Sequence, residues 1–284
     1  MHRTSLTLPS RQSKPRSRGR TMMIDGGIPT AQFIDIVESH SDLVDVVKFG
    51  WGTALVTAQL QHKIDSVLAN DVDFYFGGTL FEKYVSQGQF DQWRAFVDGF
   101  GARTVEISNG TIALSNERKA DYIARVAGDY KIYSEVGYKE SERSETMRPE
   151  LWVRYINEDL AAGADTVITE ARESGKSGIA RANGELRFGL IEEILESGID
   201  VNRLMFETPT KELQTYFIKR VGSDVNVGNI AHSDLVPLET LRLGLRSDTL
   251  LALDAAIDPD FGSGDEPHTT ELQGTELQGE DTNA

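Results

Sequence analysis

Cysteine is absent from the 284 residues. Its absence excludes disulfides, thiolate metal sites and a cysteine nucleophile. Histidine is scarce too, and the five present (His2, His40, His62, His232, His268) stand at no ligand spacing such as i, i+4. A metal would therefore have to sit on carboxylates, which selects a hard ion such as magnesium. No apolar run approaches the roughly 18 residues of a membrane helix, so a soluble, cytoplasmic protein without membrane contact is expected. Lysine is short as well, at 10 of 29 basic residues, against 45 acids and a net charge of −16. Such a surface disfavours nucleic acid. It suits a high-salt cytoplasm, where self-repulsion is screened, although ordinary acidic cytosolic proteins overlap this range.

What is present is a rhythm. Short runs rich in β-branched and aromatic residues read as strands over Thr21–Asp25, Val46–Gly50, Val72–Gly77, Thr104–Ser108, Lys131–Gly137, Thr166–Ala171, Arg203–Thr208 and Val225–Ile230. Segments with helical spacing lie between them, such as AQFIDIVESH, RPELWVRYINEDLAAG and KELQTYFIKRVG, several closing on glycine. Eight strands alternating with eight helices imply parallel pairing, and their number is that of an α/β protein of the (β/α)8 TIM-barrel class. A doubly wound open sheet is the alternative, but it would place a glycine fingerprint after the first strand, where none stands. The barrel is expected over residues 21–257. Residues 1–20, with six basic residues and no acid, read as a flexible basic arm, and the Gly/Thr/Gln-rich, acidic residues 258–284 as a disordered tail.

Barrel enzymes place their chemistry at the C-terminal ends of the strands. Those ends carry Asp25, Lys48, Gly77-Gly78-Thr79, Glu106 with Ser108 and Asn109, Glu135, Glu170 with Arg172, Glu207, and Asn226 with Gly228 and Asn229. Carboxylates gathered at one mouth must bind cations or shift one another's pKa values. Any one of them could be a structural ion pair, Asn109-Gly110 reads most simply as a turn, and Trp51 as packing. Seven polar strand ends together point to a site. Gly175–Ser177 (GKS) lacks the first glycine of a Walker loop, since position 170 is Glu, and Gly50–Leu55 lacks the third glycine of a dinucleotide fingerprint. The glycine loops at Gly175 and at Gly228-Asn229 can still present N–H groups to a phosphate.

The blocks TMMID, VVKFGWGT (Val46–Thr53), FGGTLFE (Phe76–Glu82), VEISNGTI (Val105–Ile112), SEVG (Ser134–Gly137), ITEARESG (Ile168–Gly175), MFETP (Met205–Pro209) and NVGNI (Asn226–Ile230), in this order, resemble the phosphosulfolactate synthase family. The likeness runs from about Lys14 to Thr249, and the family includes related heat-stress-associated proteins. The resemblance implies a TIM barrel that adds sulfite to phosphoenolpyruvate, with Mg2+, to give phosphosulfolactate on the way to coenzyme M. It implies metal ligands among Glu106, Glu135 and Glu170, with Asp25 close behind, and catalytic roles for Lys48, as the acid that protonates C2, and for Asp25 and Glu207. It implies anion binding by Arg172, Lys139, Gly175, Gly228 and Asn229, small-molecule partners only, and a homo-oligomer. Two positions depart from the family pattern: lysine directly after SEVG is Tyr138 here, with Lys139 next as its expected substitute, and Asn109 stands where Asp is common. The alternatives are a relative acting on another small phosphorylated or enol acid, or a non-catalytic stress-associated barrel.

Overall fold

The structure, a computed structural model, describes residues 5–172, 177–181 and 183–253. Eight parallel strands form one sheet: β1 Thr21–Asp25, β2 Val46–Phe49, β3 Asp73–Phe76, β4 Thr104–Ile107, β5 Lys131–Val136, β6 Thr166–Thr169, β7 Leu204–Glu207 and β8 Val227–Ile230. Their order is β3-β2-β1-β8-β7-β6-β5-β4, so the first strand pairs with the last and the sheet curls into a nearly closed barrel. The fold is the expected (β/α)8 TIM barrel. All eight strands fall within the segments read from the sequence, β1 with the same bounds and the other seven shortened by one to two residues.

The one interval without a backbone ladder lies between β3 and β4. Side chains bridge it instead. The Thr104 hydroxyl donates to Asp73 at the bottom, and the Gly78 N–H donates to Glu106 at the top.

The helices are α1 Thr30–His40, α2 Leu60–Ala69, α3 Gly78–Ser86, α4 Phe90–Gly99, α5 Asn116–Val126, α6 Ser141–Thr146, α7 Pro149–Ala162, α8 Phe188–Glu196, α9 Lys211–Val221 and α10 Leu235–Arg242. That makes ten among the described residues, two more than expected. The crossovers after β3 and β5 each hold two helices. Local chemistry sets several boundaries. Ser115 and Thr210 accept the Arg118 and Leu213 N–H groups as N-caps, Pro149 opens α7, and Gly163 closes it with a positive φ.

Strand alternation sorts the side chains into two cores. Met22, Val46, Tyr75, Tyr133, Ile168 and Met205 point inward and fill the middle of the barrel. Residues of opposite parity, such as Met23, Val47, Phe74, Ile132, Val167 and Phe206, face the helices. On the strands, the inward positions one step above the middle layer are Lys48, Glu106, Glu135 and Glu207, with Glu170 just beyond the end of β6. The fold therefore delivers charged groups to one end without burying them in the apolar middle.

Residues 11–20 differ from the expected free arm. Arg11, its side chain 6% exposed, reaches Asp224 at 2.9 Å and Glu239 at 3.0 Å and donates to the Gly19 carbonyl. Arg16 pairs with Asp45 at 3.2 Å. Composition alone missed this because the acids that hold the segment lie more than 200 residues away for Arg11 and 29 away for Arg16. The expected tail, 258–284, lies outside the described residues. No described helix is long and apolar enough to cross a membrane.

Arg11→Ala would leave Glu239 without its cation and Asp224 with only the exposed Arg18 at 3.0 Å. It is expected to lower unfolding free energy by roughly 2–3 kcal/mol in a urea titration. A change within about 0.5 kcal/mol, typical of a surface site, would show that the segment is not fastened.

Candidate active site

The charged strand ends meet at the C-terminal mouth of the barrel around a cavity of about 150 Å³, whose walls include Lys48, Trp51, Lys139, Glu170, Glu207 and Asn229, with Ile24, Gly77, Thr79 and Arg172. Lys48 is its centre. Its ammonium, on a side chain 7% exposed, lies 3.0 Å from Glu106, 3.4 Å from Glu207 and 3.6 Å from Glu135. Lys139 stands beside it, 3.2 Å from Glu135 and 3.6 Å from Glu170. Two lysines thus thread four buried carboxylates, with Glu106 and Glu135 beneath them and Glu170 and Glu207 facing the cavity. Tyr138, one residue before Lys139, stacks on Arg143 instead of entering this group.

The electrostatics follow from burial plus an excess of two carboxylates over lysines. Burial alone would discharge Lys48, but Glu106, Glu207 and Glu135 outweigh it and hold the ammonium well above its ordinary range. Lys139 is raised in the same way by Glu135 and Glu170 against burial. Burial pushes Glu135 up, yet Lys139 and Lys48 more than offset this and hold it down to about 2. For Glu170, burial and then the Glu135 charge lift the carboxyl well above the carboxylate range. Glu207 is pushed up to about 7, chiefly by burial and against the pull of Lys48. Glu170 and Glu207 are therefore the carboxylates of the cluster that favour the protonated form, Glu207 in part at neutral pH.

Magnesium can be tested against these groups. Among the described residues no set of three or more acidic or histidine side chains is arranged as a metal site. The expected trio of Glu106, Glu135 and Glu170 does not converge on one point, because Lys48 stands against Glu106 and Glu135, and one oxygen of Glu106 accepts the Gly78 N–H. Both oxygens of Glu135 and Oε2 of Glu170, however, are buried and accept no hydrogen bond. The Lys139 ammonium faces these two carboxylates at 3.2 and 3.6 Å, so they fit an ion that displaces that ammonium, keeps several waters and takes its remaining ligands from substrate.

Several expected site residues sit elsewhere. Asp25 has the parity of Met23 and faces the helix layer, not the cavity. One of its oxygens pairs with Lys63 of α2 and the other accepts the Gly27 and Ile28 N–H groups, both at 2.8 Å. Its role is to pin the turn after β1. Gly228 is a packing position in β8, where an added Cβ would lie 2.6 Å from the Met22 methyl group. Asn229 does line the cavity, at φ 58°, with a buried Oδ1 that has no donor. Arg172 is exposed at the rim, and Gly175 lies outside the described residues. Trp51, expected as packing, is 51% exposed, lies over Gly26 and forms part of the cavity wall.

Glu82 escaped the sequence reading because it stands on α3, away from any strand end. It is 1% exposed and accepts from the Ser108 hydroxyl and from the Gly110, Thr111 and Ile112 N–H groups. One carboxylate thereby shapes the loop above Glu106, and Asn109 assists by donating to the Leu114 carbonyl. The signal was the block FGGTLFE itself: four residues after Gly78, Glu82 returns to the same helical face, toward the barrel.

A family model describing (2R)-phospho-3-sulfolactate synthase matches residues 9–248. The chain is 49% identical over 249 residues to the phosphosulfolactate synthase of Bacillus subtilis (strain 168), covering 88% of this chain and 99% of that protein. Against the phosphosulfolactate synthase of Methanothermobacter thermautotrophicus it is 39% identical over 246 residues, covering 85% and 95%. Among solved structures, a 3-hexulose-6-phosphate synthase superposes with a TM-score of 0.50 at 14% identity over 78% of this chain and 98% of that one, a likeness of fold alone.

Two outcomes test the geometry. Between pH 4.5 and about 7 the folded chain keeps on Glu207 a proton that the unfolded chain releases. This group's stabilising contribution is therefore complete below 4.5 and lost as pH rises through 7. Glu207→Gln should flatten that part of the pH–stability profile, and a profile parallel to the wild type would refute the raised carboxyl. Glu82→Leu should speed hydrogen exchange at the Gly110, Thr111 and Ile112 amides by about a hundredfold while the β5 amides keep their protection. Unchanged exchange at the three amides would remove Glu82 from its clamping role.

Proposed function

We propose that this chain, which belongs to the phosphosulfolactate synthase family, joins sulfite to phosphoenolpyruvate with Mg2+ as cofactor and releases (2R)-3-phosphosulfolactate. The observation that carries this reading is a lysine kept protonated by three carboxylates at the edge of a small cavity that also holds Lys139, Arg172 and Asn229. The sulfur lone pair forms a bond to C3. The π pair of C2=C3 then moves onto C2 and the adjoining carboxylate, and Lys48 gives its proton to C2. Nothing leaves, and the phosphate ester stays intact. The addition needs a site that binds anions and owns one transferable proton.

Lys139 and Arg172 suit the substrate's carboxylate, its phosphate or sulfite, with Arg172 able to grip two oxygens at once. Asn229 offers a fixed amide to the same ligand. Glu106, Glu135 and Glu207 hold the Lys48 ammonium in place and in charge, so that the proton is present when the carbon becomes basic. Glu135 and Glu170 would hold magnesium, a Lewis acid that stabilises charge developing on the substrate carboxylate. Loss of the proton on Glu170 would accompany metal binding, as ligands must be deprotonated. Ile24, Gly77 and Trp51 exclude water from one side of the cavity.

The test is to mix the folded protein with phosphoenolpyruvate, sulfite and Mg2+, in low and in molar salt, and to follow phosphosulfolactate by mass. Product formation that requires Mg2+ is expected. Lys48→Arg keeps the charge among the carboxylates but has no readily transferable proton, and should cost about 10²–10⁴ in kcat with a melting temperature near that of the wild type. Absence of product in either salt would reject the reaction, and an active Lys48→Arg variant would reject the proton donor.

A further inference from the structure

The opposite, N-terminal end of the barrel holds a second cavity, larger than the first at about 640 Å³. Lys14, Arg16, Arg20, Arg103 and Lys131 line it, with Asp45, Asp71 and Asp73 as the acids. Five cations against three carboxylates leave an excess of two positive charges, in a chain where acids outnumber bases by 45 to 29. The acids are also partly engaged. Asp45 pairs with Arg16 at 3.2 Å and accepts the Thr21 N–H at 2.8 Å, and Asp73 accepts the Thr104 hydroxyl and the Phe74 N–H.

Arg20 is the unusual group. It is 7% exposed, yet its guanidinium bonds only neutral acceptors: the Tyr133 hydroxyl at 3.3 Å, Thr166 Oγ1 at 3.1 Å, the Asn202 carbonyl at 3.1 Å and the Asn226 amide oxygen. Among the described residues no carboxylate oxygen lies within 4.0 Å of a charged nitrogen of Arg20, Arg103, Lys131 or Lys14. Burying an arginine without a counter-charge is costly, and clustering further cations beside it raises that cost. Burial draws the Lys14 ammonium below its ordinary value, although Asp45 pulls it the other way. With this many acids available in the sequence, a cluster left positive points to a counter-charge from outside.

We propose that this cavity binds a dianionic phosphoryl group, carried either as free inorganic phosphate or on a small phosphate monoester. Its two charges match the excess. Four of the five Arg20 N–H groups are engaged by neutral acceptors, which leaves one Nη1 donor and an unbalanced positive charge for the ligand, and Arg103 and Lys131 close on it from the exposed side. Val46, Val72, Leu68 and the Tyr133 ring add apolar wall for the body of a monoester. The site lies across the apolar middle layer from Lys48, so it is independent of the proposed reaction.

The experiment uses the full chain, with inorganic phosphate and phenyl phosphate as separate probes. Lys131 acetylation by acetic anhydride is read by peptide mass spectrometry, and binding is followed by calorimetry in wild type and in the Arg103→Gln/Lys131→Gln variant. Because both substituted side chains are exposed, this variant keeps the fold. Each probe should protect Lys131 saturably while leaving the distant Lys211 reactive, and the variant should lose one binding event or weaken it at least tenfold. A second event, lost instead in Lys139→Gln/Arg172→Gln, belongs to the cavity around Lys48. Tighter binding of phenyl phosphate identifies a monoester as the ligand, and equal binding identifies the free anion. Unchanged Lys131 reactivity with both probes, or a variant titration that overlays the wild type, overturns the proposal.

Discussion

The ammonium of Lys48 among Glu106, Glu135 and Glu207 is the interaction on which the catalytic end of this barrel depends. Each carboxylate is too buried to be charged alone, and the lysine is too buried to stay protonated alone. Together with Lys139 and Glu170 they form a lattice of alternating charge, four carboxylates to two lysines, still two positive charges short. That shortfall, with burial, explains why Glu170 and Glu207 are both raised. The cavity wall itself carries lysine, arginine and asparagine beside Glu170 and Glu207, while Glu106 and Glu135 lie beneath.

The scaffold serves this lattice through parity. A strand sends alternate residues inward, so the apolar layer Met22, Val46, Tyr75, Tyr133, Ile168 and Met205 and the charged layer above it come from positions two apart on the same strands. Shifting β4, β5 or β7 by one residue would carry Glu106, Glu135 or Glu207 into the helix layer. The ladder fixes this register everywhere except between β3 and β4, where Thr104–Asp73 and Gly78–Glu106 take its place. One of the site's own carboxylates is thus also a structural rivet.

Much of this was legible in the residues. Eight β-rich runs at steady intervals define the barrel, and the polar ends of those runs define its mouth. Asp25 was misread because it ends a strand like Lys48 but has the opposite parity. Parity was readable from Met22 and Met23 only once one knew which of the two faced inward. Gly228 reads as a phosphate loop until Met22 and Met205 are seen pressed against it. Glu82 and Trp51 stayed hidden because their roles depend on how α3 and the turn after β2 lie over the strands, which local pattern does not encode. The same holds for Arg11, whose partners Asp224 and Glu239 are brought near only by closure of the barrel.

Pairing of β1 with β8, combined with the missing ladder between β3 and β4, bears on how the chain is made. During synthesis β1–β3 and β4–β7 emerge as two separate sheets, each with an open edge, and no backbone bond joins them until β8 arrives. At about 5–20 residues per second, the interval from the end of β3 to the end of β8 lasts roughly ten to thirty seconds. Through that time the edge of β1 is an unpaired template beside acidic polypeptide. The late strand β8, not an early helix, is therefore the keystone on the ribosome, and the N-terminal residues around Arg11 can lock only after α10, which carries Glu239, has left the exit tunnel.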